Sequence, residues 1–220
     1  MSNDDHQDSK GRRLTHLYRV LLGIRKVHQL VLSETDPCVL IDAVCDRLTE
    51  ALGYNSAWAV LLDSTGTAAT AFGCSGMDAA CPRLRQRLRQ GDFPRCMHRA
   101  MEREGTVVVT APQRECPDCP APGQYDGSVR LCHRLAFDGR TYGCLTVSLP
   151  SRYAEDEESR RLFAELAEDL ALCLHRHQME WILHEREQRF RSFVENANDI
   201  IFELTPEGRF GYVSPNWPEF

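Results

Sequence analysis

No stretch of this 220-residue chain approaches the roughly 20 consecutive apolar residues that a bilayer-spanning helix needs, and the opening "MSNDDHQDSKGRR" lacks the apolar segment of a secretory signal. The expected location is therefore cytoplasmic, with no membrane partner. An excess of positive charge is missing too: the formal net charge is −6, which gives no electrostatic reason to expect nucleic acid. There is no Ser-His-Asp ordering, no glycine loop to cradle phosphate, no His-Glu-x-x-His pair and no histidine phosphoacceptor segment. The segment is thus expected to be no enzyme in itself. Cysteine, by contrast, is plentiful. Ten cysteines without an export signal argue against a disulfide framework, because the cytosol keeps thiols reduced.

Hydrophobic and charged contents of 42% and 26% are those of a globular domain. Leu14, Leu17, Leu21, Ile24, His28 and Val31 recur at steps of three and four, the seam of a helix with a partner. "TDPCVLIDAVCDRLTEALG" follows as a second helix, with Asp36 as N-cap, Pro37 at the first position and a stop at Gly53. "NSAWAVLLD" and "TAATAFG" read as a hairpin about the turn "DSTG". Two short helices, "CPRLRQRLRQG" and "FPRCMHRAMEREG", cross over to a strand "TVVVT". "SVRLCHRLAF-DG-RTYGCLTVSLP" is a strand pair about an Asp-Gly turn, which suits a type I′ hairpin.

After "YAEDEES" the chain has no Pro or Gly up to about Asn196 and is expected to be one helix, too long to lie on a single small core. Phe163, Leu170, His177 and His184 share one heptad position, and Ala167, Leu174, Trp181 and Gln188 another. The first and last helices therefore predict a homodimeric bundle; an intramolecular pair would give the same pattern. His28, His177 and His184 on these seams are expected to be half-buried spacers, and the arginines of "RLRQRLRQ" a solvated helix face. Trp58, Phe72, Tyr125 and Tyr142 are read first as core aromatics rather than as a ligand pocket.

The stretch "ECPDCPAPGQYDG" sets Cys116 and Cys119 three apart in a loop rich in Pro, Asp and Gly. Two thiols so spaced can chelate one ion, and zinc or an iron–sulfur cluster then needs further ligands. Cys96, at the start of the helix before the strand that feeds this loop, is the third candidate. His98, Cys74, Cys81, Cys132 and His133 are candidates for the fourth. A bound metal, a reversible thiol switch and a merely structural role all stay open. Cys38, Cys45, Cys144 and Cys173 occupy apolar positions expected to be core.

The order of elements resembles the GAF domain, a sensory relative of the PAS fold. "LLGIRKVHQLVLSETDPCVLIDAVCDRLTEALGYNSAWAVLLD" is similar to the entry of GAF domains in bacterial sensor proteins, and "RTYGCLTVSLPSRYAEDEESRRLFAELAEDLALCL" to their exit. "GDFPRC" and "ECPDCP" resemble a subfamily with a Pro-x-Cys and a Cys-x-x-Cys-Pro at these places, matched here by Cys96, Cys116 and Cys119. "FRSFVENANDIIFELTPEGRFGYVSPNWPEF" resembles the opening of a PAS domain.

The resemblance implies an α+β fold, a GAF-type central antiparallel sheet flanked by helices, with long N- and C-terminal helices and a truncated PAS start. The expected organisation is a disordered polar tail over 1–13, the GAF domain over 14–177, a signalling-helix linker over 178–191 and the beginning of a PAS domain over 192–220. The expected function is an input module of a sensor histidine kinase or diguanylate cyclase, with the rest of the PAS and an output domain further along the parent chain. It would read a small ligand, a metal or a redox state. A thiol-dependent GAF-fold reductase of the methionine sulfoxide type and a purely structural dimerisation module are the alternatives.

Overall fold

The computed structural model describes residues 25, 27, 29–30, 33–77, 79–117, 119, 127–151, 156–197 and 200–214. The chain divides into two compact units, Met1–His175 and Arg176–Phe220. All six residues of the seam expected between Leu14 and Val31, His28 among them, and Tyr125 lie outside the described residues.

The first unit is built on a five-stranded sheet in the order β2-β1-β5-β4-β3. Its strands are β1 (Ser56–Leu62), β2 (Ala69–Ser75), β3 (Thr106–Val109), β4 (Ser128–Phe137) and β5 (Arg140–Pro150). Every pairing is antiparallel. The β4–β5 turn has Asp138 at φ 49° and Gly139 at φ 72°, the two left-handed residues a type I′ turn requires. Helix α1 (Pro37–Glu50) starts as its sequence signals: Asp36 Oδ1 accepts from the Cys38 N–H at 2.7 Å, with Pro37 at the first position. It lies so close to β2 that a Cβ on Gly73 would sit 2.7 Å from the Ile41 carbonyl oxygen.

Because strand side chains alternate, the sheet separates two cores. On one face α1 packs Leu40, Ile41, Val44 and Leu48 against Ala57, Ala59, Leu131 and Leu145. On the other face α2 (Cys81–Arg89) and α3 (Arg95–Glu102) pack Leu84, Leu88, Cys96 and Met97 against Trp58, Val60, Cys132 and Cys144. The arginine face of α2 is solvated as expected, with Arg87 paired to Asp92. One turn of helix, α4 (Pro112–Glu115), leads from β3 into the cysteine loop.

The long final helix, α5 (Glu157–Glu195), runs 39 residues, about 58 Å at 1.5 Å per residue. Asp156 caps its start, accepting from the Ser159 N–H at 3.1 Å and the Ser159 hydroxyl at 2.7 Å. Phe163, Ala167, Leu170 and Leu174, the first half of the heptad seam, are buried in the first core. Up to Leu174 this face of α5 is therefore buried against α1 and the sheet.

In the second unit, β6 (Phe202–Leu204) and β7 (Phe210–Val213) form an antiparallel hairpin. The Ile201 N–H donates to Ser214 Oγ at 3.0 Å, and the Ser214 N–H to the Ile201 carbonyl at 2.8 Å. Glu185–Arg189 and Glu187–Arg191, each a turn apart with Glu leading, support the exposed helix. Trp181, expected on the seam, is 63% exposed, as are Leu183 (69%), Phe190 (66%) and Phe193 (70%). With Met179, the residues Leu183, Phe190 and Phe193 fall at steps of four, seven and three, a stripe interrupted only by Arg186.

Candidate functional site

The most unusual residue of the second core is a charged one. Arg130, on β4, is 1% exposed, and an arginine is almost never so fully buried without partners for its charge. Its guanidinium donates from Nη1 to Cys96 Sγ at 3.4 Å and from Nη2 to Cys119 Sγ at 3.3 Å. The fork thus spans two sulfurs that are 23 residues apart in sequence.

Local structure brings each sulfur there. Cys96 occupies the second position of α3, after Pro94 as N-cap, where the helix dipole favours negative charge. Cys116 follows α4 directly, its N–H bonded to the Pro112 carbonyl at 2.9 Å, and the Cys119 N–H closes a turn on the Cys116 carbonyl at 3.1 Å. Glu115 ties this turn down: Arg99 of α3 donates to Glu115 Oε2 at 2.6 Å, and the Ala111 N–H to Glu115 Oε1 at 3.0 Å. Cys132 lies beside them on β4, on the same face as Arg130, opposite Val107 of β3 and Thr146 of β5.

The four cysteines are buried, and three of them are shifted in different directions. The Cys96 thiol is held well below the ordinary thiol range because the Cys116 and Cys132 thiols donate to its sulfur and the Arg130 guanidinium adds its charge, together outweighing burial. Cys116 moves the other way, as hydrogen-bond donor to Cys96 and by burial. Burial first, then its bond to Cys96, raises Cys132. Burial and the charge on Cys96 push Cys144 up to about 12. The arrangement is one cysteine of lowered pKa clustered with other thiols and a guanidinium, the environment that makes a cysteine nucleophilic.

The candidate residues therefore separate cleanly. Cys96, Cys116, Cys119 and Cys132 come together. Cys74 and Cys81 do not join them, because they form a disulfide with each other, Cα to Cα 6.4 Å, between the end of β2 and the first residue of α2; one disulfide is present where none was expected. His98 is exposed, its ring 6.0 Å from Phe93. His133 points to the opposite face of the sheet from Cys132, with Nδ1 2.9 Å from Thr106 Oγ1 and its ring edge-on to Phe163. Cys45, Cys144 and Cys173 are buried as expected, but Cys38 is exposed, since the first turn of α1 turns it outward. Among the described residues no three Cys, His, Asp or Glu side chains converge in a geometry that would hold a metal ion, and between Cys96 and Cys119 lies the fork of Arg130.

The expected aromatic set also divides. Trp58 and Phe72 lie with rings 6.5 Å apart on one side, whereas Tyr142 bonds His175 at 2.7 Å in the first core. Arg130 was not anticipated from sequence. Nothing local marks it, since "SVRLCHRLAF" carries a second arginine, Arg134, and His133 besides.

The family model of the GAF domain matches residues 34–175. No curated protein matches the sequence. Among solved structures, the chain is similar to the GAF domain of a phosphoenolpyruvate-protein phosphotransferase from Coxiella burnetii, with TM-score 0.58 and 17% identity over 75% of this chain and 98% of that one. It is similar to the GAF domain of a putative sensor histidine kinase from Pseudomonas syringae pv. tomato, with TM-score 0.50 and 16% identity over 81% and 99%. It also resembles a free methionine-R-sulfoxide reductase from Neisseria meningitidis, solved with its substrate, with TM-score 0.52 and 18% identity over 71% and 89%. At these identities the likeness is one of fold.

Proposed function

The chain belongs to the GAF-domain family, and from that premise we propose that it is the sensory input module of a bacterial signalling protein, a histidine kinase or diguanylate cyclase, and that it senses redox state through the buried cysteine cluster. The observation that carries this reading is the bond from the fully buried Arg130 to Cys96 Sγ. A structural core cysteine needs no cation; a cysteine kept ready to react does.

The relay follows from the sheet. Arg130 and Cys132 face the thiol cluster, while Leu131 and Leu135, between and beside them on β4, face the core that seats Phe163 and Leu170 of α5. A change of charge or bonding at the cluster shifts β4, and α5 carries the shift toward a PAS module whose opening the sequence from Phe190 resembles. Beyond Leu174 the stripe of Met179, Leu183, Phe190 and Phe193 is the surface through which two copies would pair, since steps of three and four are those of a helix seam.

Hydrogen exchange of the reduced and peroxide-treated protein, with metal and sulfide content measured in parallel, tests this. Altered protection in β4 and in the first turns of α5 is expected. Unchanged exchange in α5 after complete oxidation of the cluster would remove the sensory reading. Stoichiometric zinc or iron that is lost in a Cys116→Ser/Cys119→Ser variant would replace thiol chemistry by a metal site. A second reading, a GAF-fold reductase, draws support from a cysteine of lowered pKa clustered with other thiols; turnover of free methionine sulfoxide with a dithiol reductant would establish it.

A further inference from the structure

We propose that Cys96 is the nucleophile of the cluster and Cys116 the cysteine that resolves it, so that the module consumes one equivalent of a hydroperoxide and stores it as a Cys96–Cys116 disulfide. This rests on the sensory reading above and names its stimulus and its chemical product.

Geometry selects the pair. Cys96 receives the guanidinium of Arg130 and lies at the dipole-favoured end of α3. Its neighbours in the same buried cluster include the thiols of Cys116 and Cys132. Of the possible partners, Cys132 is fixed in β4 between two hydrogen-bonded strands, and closing a 2.05 Å S–S bond there would drag the sheet. Cys119 is held on the far branch of the same guanidinium. Cys116 sits at the end of a single helical turn, its N–H on the Pro112 carbonyl, and belongs to the same buried cluster as Cys96. It can move without breaking a strand.

The steps balance. The Cys96 thiolate attacks one oxygen of the hydroperoxide, and the O–O bond breaks. The alcohol, or water from hydrogen peroxide, leaves after taking a proton, and Cys96 becomes a sulfenic acid, oxidised by two electrons. The Cys116 sulfur, giving up its proton, then attacks Cys96 Sγ. The S–O bond breaks, water leaves, and the disulfide forms. A cellular dithiol reductant returns two electrons and two protons to restore both thiols. Hydrogen peroxide is small enough to reach a buried sulfur through local opening of the short, one-turn approach at α4.

The test uses the reduced full chain, one equivalent of hydrogen peroxide, and peptide mapping by mass spectrometry with a dimedone trap. Wild type is expected to yield the Cys96–Cys116 disulfide. Cys116→Ser should instead accumulate dimedone-labelled Cys96, with labelling raised roughly tenfold or more over wild type because the resolving step is gone. The mapping of wild type needs no variant, so a Cys116→Ser chain that failed to fold would leave the test standing. A Cys116–Cys119 or Cys96–Cys132 disulfide, or oxidation that spares Cys96, would overturn the assignment while the sensory reading survived on any accompanying change in α5. A Cys96–Cys116 disulfide with α5 unaltered would do the reverse.

Discussion

Arg130 reaches from the middle of the sheet to the first turn of α3 and donates to Cys96 Sγ at 3.4 Å, joining residues 34 apart. Replacing it by Met keeps the apolar stem and removes the charge. Arg130→Met is expected to cost about 3 kcal/mol of folding stability, as when one partner of a buried charged pair is lost. It should also slow alkylation of Cys96 at neutral pH roughly tenfold. Urea unfolding and site-resolved alkylation rates measure the two effects, and Arg130→Lys should restore only part of the second, since an ammonium cannot span both sulfurs.

The Cys74–Cys81 bridge closes a loop of sequence separation 7. By chain entropy a loop of this size is worth about 2–3 kcal/mol. Urea unfolding with and without a reductant, on a Cys74→Ser/Cys81→Ser variant beside wild type, should show the wild-type midpoint falling to that of the variant, whose own midpoint stays put.

The buried thiols set a pH dependence of known sign. Cys45, Cys132 and Cys144 have folded-state values raised chiefly by burial, Cys144 to about 12. Unfolded thiols ionise near pH 8.5. Below that pH the three are protonated in both states and the stability they contribute is fully present. Above it the unfolded chain sheds protons the fold retains, and stability falls by about 1.4 kcal/mol per pH unit per thiol. Cys96 runs oppositely: its lowered value adds stability as pH rises toward about 8.5 and nothing further beyond. Denaturation at several pH values should therefore show an alkaline decline, and Cys45→Ala should make it shallower.

Pairing of two copies through Met179, Leu183, Phe190 and Phe193 is open to a direct check. Leu183→Glu with Phe190→Glu should turn a dimer into a monomer in sedimentation analysis and leave the unfolding of the first unit unchanged, because both residues lie in the second unit and are exposed within the chain. A dimer that withstands both charges would place the contact elsewhere.

Much of the fold could be read from local chemistry. Asp36 and Pro37 marked the start of α1, and Asp138-Gly139 the tightest turn of the sheet, because caps and turns are decided within a few residues. Half of the site was equally local: Cys116 and Cys119 stand out as a pair, and Cys96 by its helix start. The choice between Cys132 and His133 was also available, since adjacent strand residues face opposite ways and only one of them could share a face with α3. Two features were not legible. Arg130 draws its meaning from sulfurs 11 and 34 residues away, and the Cys74–Cys81 bond from the packing of α2 against the end of β2, which no local pattern encodes.

The position of Cys38 carries a practical consequence. It is the exposed free cysteine of the chain, yet its thiol is shifted upward by partial burial and then by the carboxylate of Asp36, the residue that caps α1. Cys96, wholly enclosed, is shifted the other way. Exposure and thiol acidity run opposite ways here: a bulky maleimide or Ellman-type reagent added to the native protein is expected to count Cys38 and pass over Cys96, whereas under the proposed chemistry a small neutral oxidant ranks them in reverse. Cys38 is thereby a ready attachment point for a fluorophore on the outer surface of α1, one that needs no engineered residue and leaves the interior sulfurs free to be observed.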